Sequence, residues 1–341
     1  MNNNNFKFLV KKLSEGEILS MDEFNDAFDL IMNGEVTNSQ IGAFLMGLKL
    51  IGENSDSIAS GASTMRKFAK TIKSNEFAID TVGTGGDGLN TLNISSAVAF
   101  VTSGCGVPVA KHGNRSLSSK SGAADVLSEL GVNLDCTFKI IQKSFNDIGI
   151  CFLMAPNHHT AMKYVGPARV ELGIRTIFNL LGPLSNPALV KRQLVGVFDK
   201  KWLLPFAEAL KLMGSTHSWV VHGKDGLDEV STTGKTYVAE LKLNKISQFT
   251  ISPEDYGIPI SKIEELKGGS PKENAKKMLK LLEGEKGPYR DIVILNAACT
   301  LVATGHEKNI PEGIIKSSNS IDKGEALNKL NSLIKISNSK E

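Results

Sequence analysis

Apolar residues in the N-terminal part of the chain, up to about Lys73, recur at intervals of three and four, the spacing of amphipathic helices. Two capping boxes, Ser20 with Glu23 and Thr37 with Gln40, mark predicted helix starts, and a glycine follows each apolar stripe. A third predicted helix carries Ile58, Met65 and Phe68. This part of the chain is therefore predicted to be a small all-helical domain whose core is formed by these stripes.

From Phe77 onward, short apolar runs alternate with helical stretches, which favours an α/β fold with a central, mostly parallel sheet flanked by helices. The predicted strands are residues 78–82, 107–110, 151–155, 219–222 and 291–296. Residues 168–182 look helical again, so the chain is expected to cross more than once between two lobes. The predicted division is a helical domain of residues 1–74, which 168–190 rejoin, and a large α/β domain of residues 75–167 and 191–341, with a hinged cleft between them.

Composition narrows the class of protein. The 341 residues are 41% hydrophobic and 22% charged, which is typical of a globular protein with a substantial core. A net charge of +3 gives no global signal for nucleic acid or an anionic membrane, so any anion site must be local. The cysteines lack C-x-x-C spacing, the N-terminus lacks a signal-peptide core, and no apolar run reaches about 18 residues. We therefore expect a cytoplasmic protein with reduced thiols.

The segment most informative about chemistry is residues 83–88, Gly-Thr-Gly-Gly-Asp-Gly, which lies between the predicted strand at 78–82 and a helix predicted to begin near Asn93. Such a junction presents backbone N–H groups and a positive helix end to anions, and glycine lets a ligand approach the main chain closely. An ordinary glycine-rich turn is the alternative. The embedded Asp87 and the hydroxyl and amide side chains that follow favour a phosphate-binding turn.

Two commoner phosphate motifs do not fit this sequence. Residues 83–88 match the dinucleotide fingerprint formally, but polar residues follow where an apolar helix is required, and the basic run 111–115 stands where an acid is required. The Gly-Lys-Thr at 234–236 suggests a P-loop, but Glu229 occupies the position of its first glycine. Neither a Rossmann site nor a P-loop is therefore predicted.

A second polar loop, residues 111–122, follows the predicted strand at 107–110 and mixes cations with serines and glycines. Ligands of open α/β sheets bind outside the carboxyl ends of the strands. Two loops of this kind at one edge therefore predict a substrate with more than one phosphate group. A solvated basic loop is the alternative.

Three segments together resemble the signatures of the anthranilate phosphoribosyltransferase family: residues 83–87, 111–115, and Arg-Thr-Ile-Phe-Asn-Leu-Leu-Gly-Pro-Leu at 175–184. The similarity runs over nearly the whole chain. It implies transfer of the 5-phosphoribosyl group from phosphoribosyl pyrophosphate to the amine of anthranilate, an early step of tryptophan biosynthesis. It also implies a fold shared with pyrimidine nucleoside phosphorylases, two Mg²⁺ ions per subunit, and a homodimer formed through the helical domain.

The resemblance also implies the roles of individual residues. Those expected to bind phosphoribosyl pyrophosphate are Gly83, Gly86, Asp87, Thr91, Asn93, Ile94, Ser95, Ser96, Lys111, His112, Gly113, Asn114, Arg115, Ser116, Leu117, Ser118, Ser119 and Ala123. Those expected to bind anthranilate are Gly83, His112, Asn114, His159 and Arg169, with the guanidinium facing the substrate carboxylate. Those expected to bind Mg²⁺ are Ser95, Asp228 and Glu229. His158 is interpreted as a surface or packing residue.

The implied chemistry needs no strong base, because the aniline nitrogen of anthranilate is nucleophilic when neutral. Lys111 and Arg169 are expected to act electrostatically, while the protein aligns the amine and stabilises the departing pyrophosphate. Ala123 departs from the family pattern, since many relatives have a serine there. The missing hydroxyl removes one possible contact to the donor, worth roughly 0.5–1.5 kcal/mol.

Two rival functions were weighed against this one. A pyrimidine nucleoside phosphorylase would share the architecture, but the run 111–115 and the pair Asp228 and Glu229 argue against it. A non-catalytic relative that binds nucleic acid would need many phosphate contacts, which the near-neutral charge and the lack of a long basic stripe disfavour.

Overall fold

The computed structural model describes residues 3–116 and 120–340 of the chain. The expected donor contacts Leu117, Ser118 and Ser119 lie outside the described residues. Within the described residues, no helix is long and apolar enough to cross a membrane.

Four helices form the N-terminal part: α1 (Asn3–Ser14), α2 (Met21–Met32), α3 (Asn38–Ile51) and α4 (Ser55–Phe68). The capping boxes predicted at Ser20 and Thr37 are both present, and each side chain accepts a hydrogen bond from the backbone N–H three residues on. Phe28 packs edge-on against Phe44 of α3, with ring centroids 5.8 Å apart. The helical part predicted from the apolar periodicity is thus confirmed.

A seven-stranded sheet follows, with strands β1 (Ile79–Gly83), β2 (Val109–Gly113), β3 (Ile150–Met154), β4 (Arg192–Gly196), β5 (His217–Gly223), β6 (Thr236–Lys242) and β7 (Lys245–Ile251). The strand order is β3-β2-β1-β4-β5-β6-β7. The first five strands in chain order pair in parallel, and β6 and β7 add an antiparallel hairpin at one edge. The order reverses between β1 and β4, so a ligand crevice is expected beyond the carboxyl ends of these two strands.

The remaining helices cover both faces of the sheet: α5 (Ile94–Gly104), α6 (Ala123–Glu129), α7 (Phe138–Ile148), α8 (Ala155–His158), α9 (Gly166–Leu172), α10 (Phe178–Leu181), α11 (Leu203–Leu212), α12 (Pro271–Leu282), α13 (Pro288–Ala303), α14 (Ile310–Asp322) and α15 (Glu325–Ser337). On one face, α5 packs with α13 and α15. On the other, α11 shares an apolar cluster with α4, α10 and the sheet residue Val195. The α/β prediction is confirmed.

Several local predictions differ from the structure. Residues 291–296 were predicted as a strand but lie inside α13, a buried helix of 16 residues whose sides are nearly all apolar. Strands β4, β6 and β7 were not predicted. Lys111 and His112 belong to β2 and not to the loop after it. The helical stretch expected at 168–182 is divided into α9 and α10, because Gly173 adopts a left-handed conformation (φ 61°) that ends α9. Phe178 of α10 packs edge-on against Phe28 of α2, so this segment contacts the helical part. The division of the chain into two domains stays a prediction.

Candidate active site

A cleft of about 840 Å³ opens beyond the carboxyl ends of β1 and β2. This volume lies at the upper end of the range for small-molecule sites. Met65 of α4, Phe178 of α10 and the segment from α8 to α9 close its other sides. The predicted site residues that line the cleft are Gly83, Gly86, Ser95, Lys111, His112, Gly113, Asn114, Arg115, Ser116, Ala123, His159 and Arg169.

The glycine turn connects β1 to α5 as predicted. Gly85 and Gly86 have φ values of 65° and 75°, which only glycine adopts without strain. The turn is bonded to the end of the neighbouring strand β4, because the Thr84 N–H donates to the carbonyl of Gly196 at 2.9 Å. Helix α5 begins at Ile94 without a side-chain cap, and its first two N–H groups are already used: the Ile94 N–H donates to the Leu92 carbonyl at 2.8 Å and the Ser95 N–H to Glu229 Oε1 at 3.2 Å.

Some predicted donor contacts do not line the cleft. Ile94 and Ser96 are buried in α5, so they can reach a ligand only through their backbone. Thr91 pairs with Lys267 in an isolated bridge, and the Asn93 side chain is hydrogen-bonded to the Ser121 carbonyl and to the Asn274 side chain. Asp87 lies beside the cleft and accepts a hydrogen bond from the Leu89 N–H at 3.1 Å.

Lys111 brings a buried cation to the end of β2. Only 4% of its surface is exposed, and its Nζ donates to the Thr81 carbonyl at 2.7 Å and to the Ser95 hydroxyl at 3.4 Å. Burial lowers the pKa of this amine, while the nearby carboxylates of Asp80 and Glu229 raise it. The hydrogen bonds to Thr81 and Ser95 hold the Lys111 side chain next to the start of α5.

The acids Asp228 and Glu229 lie against the glycine turn and α5. The Gly85 N–H donates to Asp228 Oδ2 at 2.7 Å, and the Ser95 N–H donates to Glu229 Oε1 at 3.2 Å. Burial, with repulsion from Asp87, raises the pKa of Asp228 to about 7. Burial and the neighbouring Asp228 raise the pKa of Glu229 well above its usual range. These crowded carboxyls would gain from a bound cation.

Within the described residues, no group of three His, Cys, Asp or Glu side chains has the arrangement of a complete metal site. This agrees with the chemistry of Mg²⁺, which in phosphate-transfer sites takes one or two carboxylates and completes its shell with water and substrate phosphates. The acid pair with Ser95 is suited to that kind of incomplete site.

Two imidazoles and a guanidinium line the far side of the cleft. The rings of His112 and His159 lie 5.1 Å apart, and His112 Nδ1 lies 3.2 Å from the Gly182 carbonyl. Burial lowers the pKa of His112 well below its usual value and that of His159 to about 4, so both rings are neutral at pH 7. Both Nε2 atoms are buried and have no protein partner among the described residues. Arg169 lies over the ring of Phe178, 5.6 Å from its centroid.

His158 is buried, and its Nδ1 lies 2.5 Å from the Lys70 carbonyl, which is the arrangement of a packing histidine. The loop after β2 is closed by Asp125, which accepts hydrogen bonds from the N–H groups of Ser116 and Gly122 at 3.0 and 2.9 Å. These two hydrogen bonds hold Ser116 and Gly122 without a hydroxyl at position 123.

Sequence reasoning did not select Arg175 and Phe198 as site residues, although both line the cleft. The Arg175 guanidinium donates to the Gly86 carbonyl and lies over the Phe198 ring, 4.5 Å from its centroid. Arg175 belongs to the motif at 175–184, so that motif was the available signal. Phe198 follows a strand that was not predicted and carried no signal.

Comparisons with known proteins agree with this architecture. The helical bundle domain of a glycosyl transferase family matches residues 7–69, and the α/β domain of that family matches residues 75–327. An anthranilate phosphoribosyltransferase from Rhodopseudomonas palustris is 52% identical over 97% of this chain and 98% of its own length.

Solved structures give the same result. The anthranilate phosphoribosyltransferase of Thermus thermophilus superposes with a TM-score of 0.92 at 39% identity, over 97% of this chain and 99% of that one. The Saccharomyces cerevisiae enzyme in complex with phosphoribosyl pyrophosphate and Mg has a TM-score of 0.91 at 30% identity, over 99% of both chains. The same yeast enzyme is also known in complex with 4-fluoroanthranilate. This chain therefore belongs to the anthranilate phosphoribosyltransferases, within the glycosyl transferase family.

Proposed function

We propose that the cleft joins phosphoribosyl pyrophosphate to anthranilate, giving N-(5-phosphoribosyl)anthranilate and pyrophosphate in tryptophan biosynthesis. The observation that carries this proposal is the convergence, in one cleft, of a glycine turn, a buried lysine and an apolar-walled pocket with an arginine. The yeast relative is described in complex with the donor and, separately, with an analogue of the acceptor. The reaction makes the protein a pentosyltransferase.

The donor is proposed to bind along the glycine turn and the loop after β2. Backbone N–H groups of the turn would hold its phosphates, and Lys111 would balance their charge. The remaining donor contacts are proposed to be those that the family resemblance implies. Ala123 contributes no hydroxyl to the donor.

Mg²⁺ is proposed to bind with the donor at Ser95, Asp228 and Glu229, as two ions per subunit. Support comes from the crowding of the two carboxyls, whose pKa values are raised first by burial and then by neighbouring carboxylates, and from the Mg in the yeast complex. When bound, Mg²⁺ stabilises negative charge on the departing pyrophosphate. The residues of this chain hold the carboxyls in place through the N–H groups of Gly85 and Ser95.

Anthranilate is proposed to bind against Gly83, His112, Asn114, His159 and Arg169. Arg169 would pair with the carboxylate. The neutral imidazoles of His112 and His159 would contact the aromatic ring and its neutral amine. The amine would then attack the anomeric carbon as pyrophosphate leaves, with inversion at that carbon. The contribution of the protein is alignment of the two substrates and exclusion of water, and no residue is required to act as a strong base.

The dimer is proposed to form through the helical part. Large apolar side chains are exposed there and on the helix packed against α3, among them Phe8 of α1 at 53%, Leu50 of α3 at 81% and Val170 of α9 at 82%. Large exposed apolar surfaces mark protein interfaces, and these side chains are proposed to belong to one. A cytoplasmic location, with reduced thiols, is proposed as well.

The activity is tested by following anthranilate fluorescence after mixing the protein with phosphoribosyl pyrophosphate and Mg²⁺, with thymidine and uridine phosphorolysis measured in parallel. We expect loss of fluorescence that requires both donor and Mg²⁺. Phosphorolysis without loss of fluorescence would instead indicate a nucleoside phosphorylase, and the absence of both reactions would indicate a binding protein.

A further inference from the structure

A chain of hydrogen-bonded amide groups starts at Gly269, just before α12. It runs through the side chains of Asn274 and Asn93 and ends at the carbonyl of Ser121, shortly before α6. The Gly269 N–H donates to Asn274 Oδ1 at 2.8 Å, and Asn274 Nδ2 donates to Asn93 Oδ1 at 2.9 Å. Asn93 Nδ2 in turn donates to the Ser121 carbonyl at 3.2 Å. Asn274 is 1% exposed, so water does not compete for these bonds.

The direction of these hydrogen bonds is fixed by the backbone at both ends. The Gly269 N–H can only donate, so the Asn274 atom facing it must be the carbonyl oxygen. The Ser121 carbonyl can only accept, so the Asn93 atom facing it must be the amide nitrogen. Only one orientation of the two side-chain amides satisfies both ends. The Ser121 hydroxyl, 3.5 Å from Asn93 Oδ1, lies on the side where that oxygen accepts.

This orientation matters because Asn93 immediately precedes α5, at the junction proposed to hold the donor. Asn93 Nδ2 carries two N–H groups, and only one has a partner among the described residues, the Ser121 carbonyl. The second N–H is available to an anionic ligand. If the amide rotated by 180°, a carbonyl oxygen would replace these N–H groups and would repel a phosphate or pyrophosphate oxygen.

We propose that Asn274 is a positioning residue for the donor: through its hydrogen bond to Asn93 it keeps the second amide N–H of Asn93, the one not bonded to Ser121, available to phosphoribosyl pyrophosphate. The inference rests on the proposed function, because it takes the donor to bind at this junction. Neither Asn274 nor Asn93 is among the residues that line the cleft, but Ser95, two residues after Asn93, does line it.

Two variants of Asn274 distinguish the positioning role from a packing role, because the two roles predict opposite orders for the loss of donor affinity. Asn274→Asp keeps the shape of the side chain but makes it an acceptor, so Asn93 must rotate to donate to it. Asn274→Ala removes the side chain and leaves Asn93 free to keep its N–H groups toward the ligand. The positioning role therefore predicts the larger loss of donor affinity for the aspartate variant, whereas a packing role predicts the larger loss for alanine.

The experiment is calorimetric titration of the full-length protein with phosphoribosyl pyrophosphate and Mg²⁺, with thermal unfolding recorded for each variant. Relative to wild type, we expect the donor Kd to rise about tenfold or more in Asn274→Asp and less than about threefold in Asn274→Ala. Lowering the pH should reduce the aspartate defect, because a protonated carboxyl can donate to Asn93. The control Tyr289→Phe, which removes a hydroxyl that donates to the Asn93 carbonyl at 3.2 Å, should change the Kd by less than about threefold.

Combining Asn274→Asp with Asn93→Ala should give no further loss beyond Asn93→Ala alone, since the two residues act as one unit. Equal or larger losses in Asn274→Ala, or additive losses in the double variant, would overturn the proposal. Donor binding by wild type without transfer to anthranilate would refute the proposed function and leave this test intact. Absence of donor binding would refute both.

Discussion

Replacing Asp228 with asparagine tests whether the acid pair lowers the stability of the fold. Burial, followed by repulsion from Asp87, raises the pKa of Asp228 from 3.8 to about 7. Because the folded-state pKa is higher than the unfolded one, ionisation of this carboxyl opposes folding. The penalty is absent below pH 3.8, grows as the pH rises, and is complete above about pH 7. An asparagine at this position carries no such penalty, and its Oδ1 can still accept the Gly85 N–H.

The size of the effect follows from the shift in pKa. A rise from 3.8 to about 7 corresponds to roughly 4 kcal/mol when the carboxyl is ionised. The side chain is partly exposed, so solvent weakens the penalty and about 2 kcal/mol is expected. Without Mg²⁺, Asp228→Asn should therefore be about 2 kcal/mol more stable than wild type at pH 8 and almost equal to it at pH 4.

Urea unfolding at pH 4 and pH 8 measures both values. His112 and His159, whose pKa values are lowered by burial, oppose this trend in every variant, so the quantity to compare is the difference between variant and wild type at each pH. Asp147→Asn, at an exposed site on α7, is the matched control; it loses only an exposed ion pair with Lys143 and should change the stability by less than about 0.5 kcal/mol at either pH. A variant that is less stable at pH 8, or equally stabilised at both pH values, would refute the reasoning. Mg²⁺ with the donor should stabilise wild type more than Asp228→Asn.

Four further predictions address the site and the interface. Arg169→Ala should raise the anthranilate KM far more than the donor KM in steady-state assays, and equal effects would remove Arg169 from the acceptor site. Asp228→Ala with Glu229→Ala should lower activity chiefly by weakening the Mg²⁺-dependent use of the donor, and unchanged Mg²⁺ dependence would contradict this role. The pKa of His159 falls to about 4 on burial, so wild type should lose up to about 3 kcal/mol as the pH falls from 6.5 to 4, and His159→Gln should lose less in acid unfolding curves. Leu50→Asp should convert a dimer to a monomer in analytical ultracentrifugation. An unchanged mass would indicate that the dimer interface does not include Leu50.

Local signals in the sequence predicted the parts of the fold that depend on short-range chemistry. The helix start at Ser20 was recognisable because a capping box is complete within four residues. The turn at 83–88 was recognisable because its glycines, its acid and the flanking apolar run are contiguous. In both cases the residues that determine the local structure are adjacent in the chain, so a single sequence is enough to predict it.

The errors have an equally physical origin. Residues 291–296 contain a run of β-branched and other apolar residues that suits a buried strand and a buried helix alike, and α13 is buried on nearly all sides. Strand β4 is only five residues long and begins with Arg192 and Gln193, so no apolar run marked it. Strand β7 is mostly exposed and lacks an apolar run of its own.

The candidate site was predictable only where residues lie in contiguous motifs. Residues 111–116, which form one motif, and Arg169 line the cleft. Arg175 and Phe198 meet across the cleft, and Asn274 reaches Asn93 from 181 residues away. Contacts of this kind depend on how the strands are ordered and how α12 packs, and no local pattern encodes them.

The central claim is that one cleft holds both substrates and transfers the phosphoribosyl group between them. The most direct test measures anthranilate consumption and pyrophosphate release in the same reaction with Mg²⁺ present. The account predicts equal amounts of each, with neither process occurring when either substrate is omitted. Pyrophosphate release that continues without anthranilate, or anthranilate loss without pyrophosphate, would contradict it.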